Sequence, residues 1–208
     1  MEIYAFGSLV RGEIDSFSDI DLLLLKDTTE KISDIDKEQF SIYTYQRILE
    51  LWNEGNPFSW HLHTESKCIY SSNQLPYLKS LGKPRQYNNL LNDLNKFNQL
   101  YIDSKYSIEQ NNYSTDFDLS MIFLAIRNFA SCFSLGFLSK CEFSRDSAIK
   151  IDKYSINLNL DIYNRLMHCR LFATRGIGDK ISEEELENIK EEFPEIEQWF
   201  NKLLILVK

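Results

Sequence analysis

Gly7-Ser8 and the pair Asp19 and Asp21 are the residues of this 208-residue sequence whose types and spacing can do chemistry. They stand in Tyr4-Ala5-Phe6-Gly7-Ser8-Leu9-Val10-Arg11-Gly12 and in Ser18-Asp19-Ile20-Asp21-Leu22-Leu23-Leu24, with ten residues between Ser8 and Asp19. The apolar run before Gly7 reads as a strand, and a second strand begins with Asp-x-Asp. Strand side chains alternate, so Asp19 and Asp21 share one face, about 7 Å apart along the chain. Two carboxylates so placed can converge on one or two Mg²⁺ ions. Gly7 lets backbone come close to a phosphate, and Ser8 opens a turn or helix whose N–H groups face an anion. A phosphate cradle beside a carboxylate metal site is what nucleotidyl transfer needs. The metals polarise the α-phosphate, activate the attacking hydroxyl and neutralise the departing pyrophosphate.

Gly-Ser, a spacer of this length and Asp-x-Asp together resemble the signature of the polymerase-β-type nucleotidyltransferase superfamily. The form Gly7-Ser8-x-x-Arg11-Gly12 looks most like its minimal nucleotidyltransferase branch. The resemblance covers roughly residues 1 to 80. It implies that Gly7 and Ser8 bind a triphosphate, with Arg11 and Ser18 as further nucleotide-binding candidates. It also implies that Asp19 and Asp21 ligate the catalytic metals. Family members carry a helix before the first strand, whereas here the strand starts almost at Met1. They also carry a third carboxylate on the next strand. The matching position in Phe40-Ser41-Ile42-Tyr43-Thr44 is Ser41, whose neutral hydroxyl binds Mg²⁺ far more weakly than a carboxylate. Asp36 and Glu38 stand at the strand entry as substitutes, though neither has the family spacing.

The elements that must position these residues change character near Gly82-Lys83-Pro84. Before that point, Ile3 to Phe6, Ile20 to Leu25, Phe40 to Tyr45 and Trp60 to Leu62 read as strands, with Cys68 to Tyr70 a weaker one. The clearest helix is Tyr45 to Glu54, stopped by Gly55-Asn56-Pro57. Beyond Pro84 the period is helical: Leu90, Leu94, Phe97 and Tyr101 form one stripe. Asp118 to Leu138 is apolar nearly all round, as in the central helix of a bundle, and its Arg127, Asn128 and serines argue against a membrane span. Ile156 to Phe172 gives a third helix. Ser182-Glu183-Glu184-Glu185 is a capping box opening an acidic helix that Pro194 interrupts. The sequence therefore predicts an α+β chain. A mixed-sheet nucleotidyltransferase domain spans 1–82 and a helical bundle spans 83–208.

Other candidates have plainer readings. On a strand, His61 and His63 would share a face, but only Glu65 and Cys68 lie near enough in sequence to extend a ligand set, so an ordinary polar face is expected. His168-Cys169 reads as helix packing. The bundle resembles, more weakly, the helical domains of kanamycin nucleotidyltransferase and the HEPN family. HEPN ribonucleases carry Arg-x(4–6)-His, and here Cys132 stands where a histidine would follow Arg127-Asn128, which removes the general acid/base for RNA cleavage.

The 31 acidic against 23 basic residues give a net charge of −8, which disfavours a general nucleic-acid binder. Four cysteines without C-x-x-C spacing, and an N-terminus unlike a signal peptide, predict thiols in a cytoplasmic protein with no membrane association. The expectation is Mg²⁺-dependent transfer of a nucleotide, AMP from ATP, onto a hydroxyl of a small molecule or protein. The alternative, resting on Ser41, is a catalytically weakened nucleotide-binding module of a toxin–antitoxin or defence system.

Overall fold

A computed structural model of the chain describes residues 1–14, 20–30, 39–111 and 114–208. Ser18, Asp19, Asp36 and Glu38 lie outside the described residues. The chain divides into two compact units, Met1–Asn88 and Asn89–Lys208.

The first unit is built on a mixed sheet of order β3-β2-β1-β4, from β1 (Glu2–Phe6), β2 (Asp21–Lys26), β3 (Phe40–Thr44) and β4 (Ser66–Ser71). β1 runs antiparallel to both β2 and β4, and β2 runs parallel to β3. The helices are α1 (Ser8–Arg11), α2 (Tyr45–Glu54), α3 (Pro57–Glu65) and α4 (Tyr77–Ser80). Tyr4, Phe6, Leu23 and Leu25 alternate onto one sheet face and form a core with Ile48, Leu51, Trp52, Leu62 and Leu78 from α2, α3 and α4.

Thr44 caps α2 by accepting the Arg47 N–H at 3.1 Å. Gly55 ends the helix in the left-handed region at φ +66°, and a Cβ there would lie 2.4 Å from the Gln86 carbonyl oxygen. The segment after Gly82 crosses this corner. Trp52 Nε1 donates to the Gly82 carbonyl at 3.0 Å, the Arg85 N–H to Trp52 O at 3.0 Å, and Trp60 Nε1 to Arg85 O at 3.1 Å. These bonds keep residues 83–88 with the first unit.

One expected strand is a helix. Trp60 to Leu62 lies inside α3, because the Asn56 side chain caps the Phe58 N–H at 2.9 Å and Pro57 occupies the first turn, where its missing N–H costs nothing. Three alternating residues are too few to separate the strand period from the helical one. The weak strand at Cys68 to Tyr70 is real and longer, as β4.

In the second unit, α6 (Thr115–Gly136) packs between α5 (Leu90–Glu109) and α7 (Leu160–Arg175), followed by α8 (Glu183–Glu191) and α9 (Phe193–Val207). By length and hydropathy α6 could cross a membrane, contrary to the polarity expected of it, but 72% of its apolar stretch is buried within the protein. Phe129 meets Phe200 edge-on at 4.7 Å, and the fully buried Tyr101 donates its hydroxyl to Phe193 O at 3.1 Å. Ser182 and Glu185 form the expected capping box, and Pro194 sits in the first turn of α9, separating it from α8.

Candidate active site

β1 ends at Phe6, and the chain turns through Gly7 at φ +70°, a backbone conformation that favours glycine. Ser8 then opens the single turn of α1, in which the Val10 and Arg11 N–H groups donate to Gly7 O at 3.0 and 3.1 Å. The Ser8 and Leu9 N–H groups precede these bonds, as first-turn donors do. Gly12, in the left-handed region at φ +75°, closes the turn.

Register brings Asp21 to this loop. Asp21 pairs with Phe6 at the end of the β1–β2 ladder. A Cβ on Gly7 would lie only 2.7 Å from Asp21 Oδ2, so the carboxylate fills the space that any other residue at position 7 would need. Two residues fourteen positions apart in sequence thus meet, and position 7 cannot gain a side chain without displacing Asp21.

On the neighbouring strand Ser41 pairs with Leu23, and Tyr43 with Leu25. Ser41 therefore shares the Asp21 face, one side-chain step along it, and Gln39 immediately precedes the strand. Neither residue carries a charge. Among the described residues no cluster of three histidine, cysteine or carboxylate side chains could hold a metal. The donor chemistry nevertheless suits a hard cation. Asp21 offers oxygen, and Gly7 leaves its carboxylate room beside a backbone suited to phosphate.

Arg11 is held on two sides. Its Nε donates to Glu13 Oε2 at 2.7 Å and its Nη1 to Glu65 Oε2. Among the described residues no bond engages its Nη2. Glu65 is the last residue of α3, and its carbonyl also accepts the Gly7 N–H at 3.2 Å. His61, one helical turn earlier, places Nε2 3.0 Å from Glu65 Oε2. Burial of Glu65 opposes its charge, yet the His61 bond and the Arg11 guanidinium outweigh that, so the carboxyl titrates below its ordinary range.

His61 and His63 do not share a face, because α3 is a helix. The His61 ring meets Phe6 edge-on at 5.6 Å, while His63 lies between the Trp52 and Trp60 rings at 6.4 and 6.2 Å. The role of Glu65 was missed in the sequence. Its signal was the i, i+4 spacing from His61, which means contact only on a helix.

The ribonuclease-like pattern of the bundle is not assembled among the described residues. Arg127 donates from Nη2 to Phe143 O at 3.0 Å and from Nε to Ser144 O at 3.4 Å, and Cys132 is buried. Cys169, also buried, has its thiol pushed up to about 11 by desolvation, as befits packing. All four cysteines are thiols, unlinked by disulfides.

Comparison with known proteins finds a family likeness within the first unit. Residues 1–75 match the family described as Polymerase beta, Nucleotidyltransferase. No curated protein matches the chain. Among solved structures it is similar to a spectinomycin adenyltransferase from Enterococcus faecialis, solved with ATP and spectinomycin. That likeness has 15% identity and a TM-score of 0.49, over 98% of this chain and 90% of that one.

Proposed function

We propose, from the match of residues 1–75 to the polymerase-β nucleotidyltransferase family, that the chain transfers AMP from ATP to a hydroxyl group of a small molecule or protein. The observation that carries this reading is the Asp21 carboxylate packed against Gly7 of the Gly7-Ser8 turn. A carboxylate oxygen suited to a metal thus lies against a turn whose backbone is suited to a phosphate, which supports the reading over a surface turn beside a solvated strand end.

The acceptor hydroxyl gives up its proton to solvent as its oxygen attacks the α-phosphorus, the bond from that phosphorus to the bridging oxygen breaks, and pyrophosphate leaves. Gly7 admits the triphosphate close to the backbone, and the first-turn N–H groups at Ser8 and Leu9 donate to its oxygens. Arg11 offers its Nη2 donors to the same anion, with Ser18 as a further contact. Asp19 and Asp21 would hold Mg²⁺, which supplies Lewis-acid polarisation of the phosphate and neutralises the leaving group. An acceptor that is a small molecule or a protein side chain suits a chain of net charge −8 better than a polynucleotide does.

Asp21→Asn keeps the shape of the site and removes its charge. It should lower pyrophosphate release from ATP with Mg²⁺ by about 100-fold or more. It should also abolish most of the rise in Tm that ATP and Mg²⁺ give the wild type. An undiminished ligand-induced rise in the variant would place the nucleotide elsewhere.

A second reading rests on Ser41. With a neutral hydroxyl in register on the Asp21 face, the domain would bind a nucleotide and transfer it slowly or not at all. Wild type that gains Tm with ATP and Mg²⁺ but releases no pyrophosphate across a panel of hydroxyl acceptors would favour this reading.

A further inference from the structure

The five-residue stretch Gly7–Arg11 is fastened at both ends by one residue on another element. At its start, the Gly7 N–H donates to the Glu65 carbonyl at 3.2 Å, continuing the β1–β4 pairing past Phe6 and Ser66. At its end, Arg11 Nη1 donates to the Glu65 carboxylate. The same carboxylate oxygen, Glu65 Oε2, lies 3.0 Å from His61 Nε2. The side chains of Arg11, His61 and Glu65 are 19%, 13% and 12% exposed, so the group is largely shielded from water and its geometry is not that of a loose surface pair. A guanidinium has five N–H donors in a rigid plane. With Nε bonded to Glu13 and Nη1 to Glu65, the plane is set, and among the described residues no bond takes up the Nη2 edge.

We propose that Glu65 is the positioning residue of the phosphate loop, holding Gly7 through its carbonyl and Arg11 through its carboxylate so that Nη2 of Arg11 is presented to the triphosphate. This rests on the nucleotidyl-transfer reading for its ligand, but the clamp itself exists without one. Glu65 touches no substrate. It acts through Arg11. A mobile Arg11 would have to be ordered each time a nucleotide bound, whereas a clamped one has already lost that freedom.

The test uses the full chain with Glu65→Ala, Glu65→Gln, Arg11→Ala and the Arg11→Ala/Glu65→Ala double variant. Two measurements are made: amide hydrogen exchange of residues 8–12 in the ligand-free protein, and steady-state kinetics with ATP and Mg²⁺. Glu65→Ala should speed exchange across the loop about tenfold, and raise the KM for ATP about tenfold while kcat stays within about twofold, the sizes expected for one charge-assisted bond. A structural defect alone would lower the active fraction and hence kcat, leaving KM in place. Glu65→Gln retains an oxygen for Arg11 and should recover most of both effects. In the Arg11→Ala background, Glu65→Ala should add nothing further to KM.

Unchanged loop exchange and KM in Glu65→Ala would overturn the proposal. So would effects of the two alanine variants on KM that simply add. If Glu65→Ala does not fold, Glu65→Asp, which withdraws the carboxylate from Arg11 by one methylene, against Arg11→Ala gives the same comparison. Wild type that neither binds nor turns over ATP would refute the nucleotidyl-transfer reading, and loop exchange would then judge the clamp by itself.

Discussion

Arg11 in the first unit and Arg127 in the second are both half-buried, and their guanidinium groups are held by different kinds of acceptor. Arg127 donates to two successive carbonyls, Phe143 and Ser144, while its own carbonyl accepts the Ser147 hydroxyl at 2.8 Å. It fastens the stretch after α6 onto that helix. Arg165 is more fully committed, with a two-pronged contact to Glu185 at 2.7 and 3.1 Å and further bonds to the Asp179 and Lys180 carbonyls. Arg11 is gripped by two carboxylates, yet among the described residues its Nη2 edge has no bond, and it closes a turn that begins in a conformation reserved for glycine. Arg127 and Arg165 hold the bundle through acceptors on its own segments. A phosphate ligand, the role proposed for Arg11, has instead to be oriented with an edge still open to a further acceptor.

Gly7→Ala should break that contrast most severely. The added Cβ would collide with Asp21 Oδ2 at 2.7 Å and force an alanine to φ +70°. A displacement of this size in a reacting group costs about 100-fold in rate, while the backbone strain costs about 1–2 kcal/mol of stability. Pyrophosphate release and Tm measured on one preparation separate the two. A variant of normal activity would mean that Asp21 is not confined by Gly7.

Arg127→Ala should act on stability alone. It strips donors from the carbonyls of two buried residues, Phe143 and Ser144. About 2 kcal/mol, or roughly 4–8 °C in Tm, is the expected loss. Arg127→Lys should restore little of it, since a point charge cannot span both carbonyls. An unchanged melting curve would show that the stretch after α6 is held by its apolar contacts instead.

The smallest effect belongs to Glu185. The Arg165 bonds come first among the causes that bring its carboxyl down from 4.5 to about 2, with the Ser182 N–H next. A lowered folded pKa stabilises the fold fully above pH 4.5, and that contribution fades as pH falls from 4.5 through about 2. The side chain is 42% exposed, so solvent screening keeps the contribution under about 1 kcal/mol. Tm followed from pH 6 downward should therefore decline slightly less steeply in Glu185→Gln than in wild type. Parallel curves would show that the pair does not stabilise the folded state.

Much of this architecture is local and so is legible along the chain. The strand before Gly7, the α2 boundaries at Thr44 and Gly55, the capping box at Ser182 and the break at Pro194 each depend on residues within a turn or two of one another. The helical bundle is legible because apolar periodicity repeats over long segments. Trp60 to Leu62 misled because its pattern is shorter than the period it must reveal, and a cap four residues upstream decided the outcome.

At the site, the sequence by itself determined the chemistry on offer: a glycine–serine turn, a pair of aspartates and a serine where the family has a carboxylate. Only the tertiary structure decided which of these groups meet. The Asp21 contact with Gly7 follows from strand register, and the hold of Glu65 on Arg11 and Gly7 follows from where α3 ends against β1. Residue types and local spacing encode local conformation. Contacts between residues 54 positions apart are set by how the helices and strands pack, which no local pattern records.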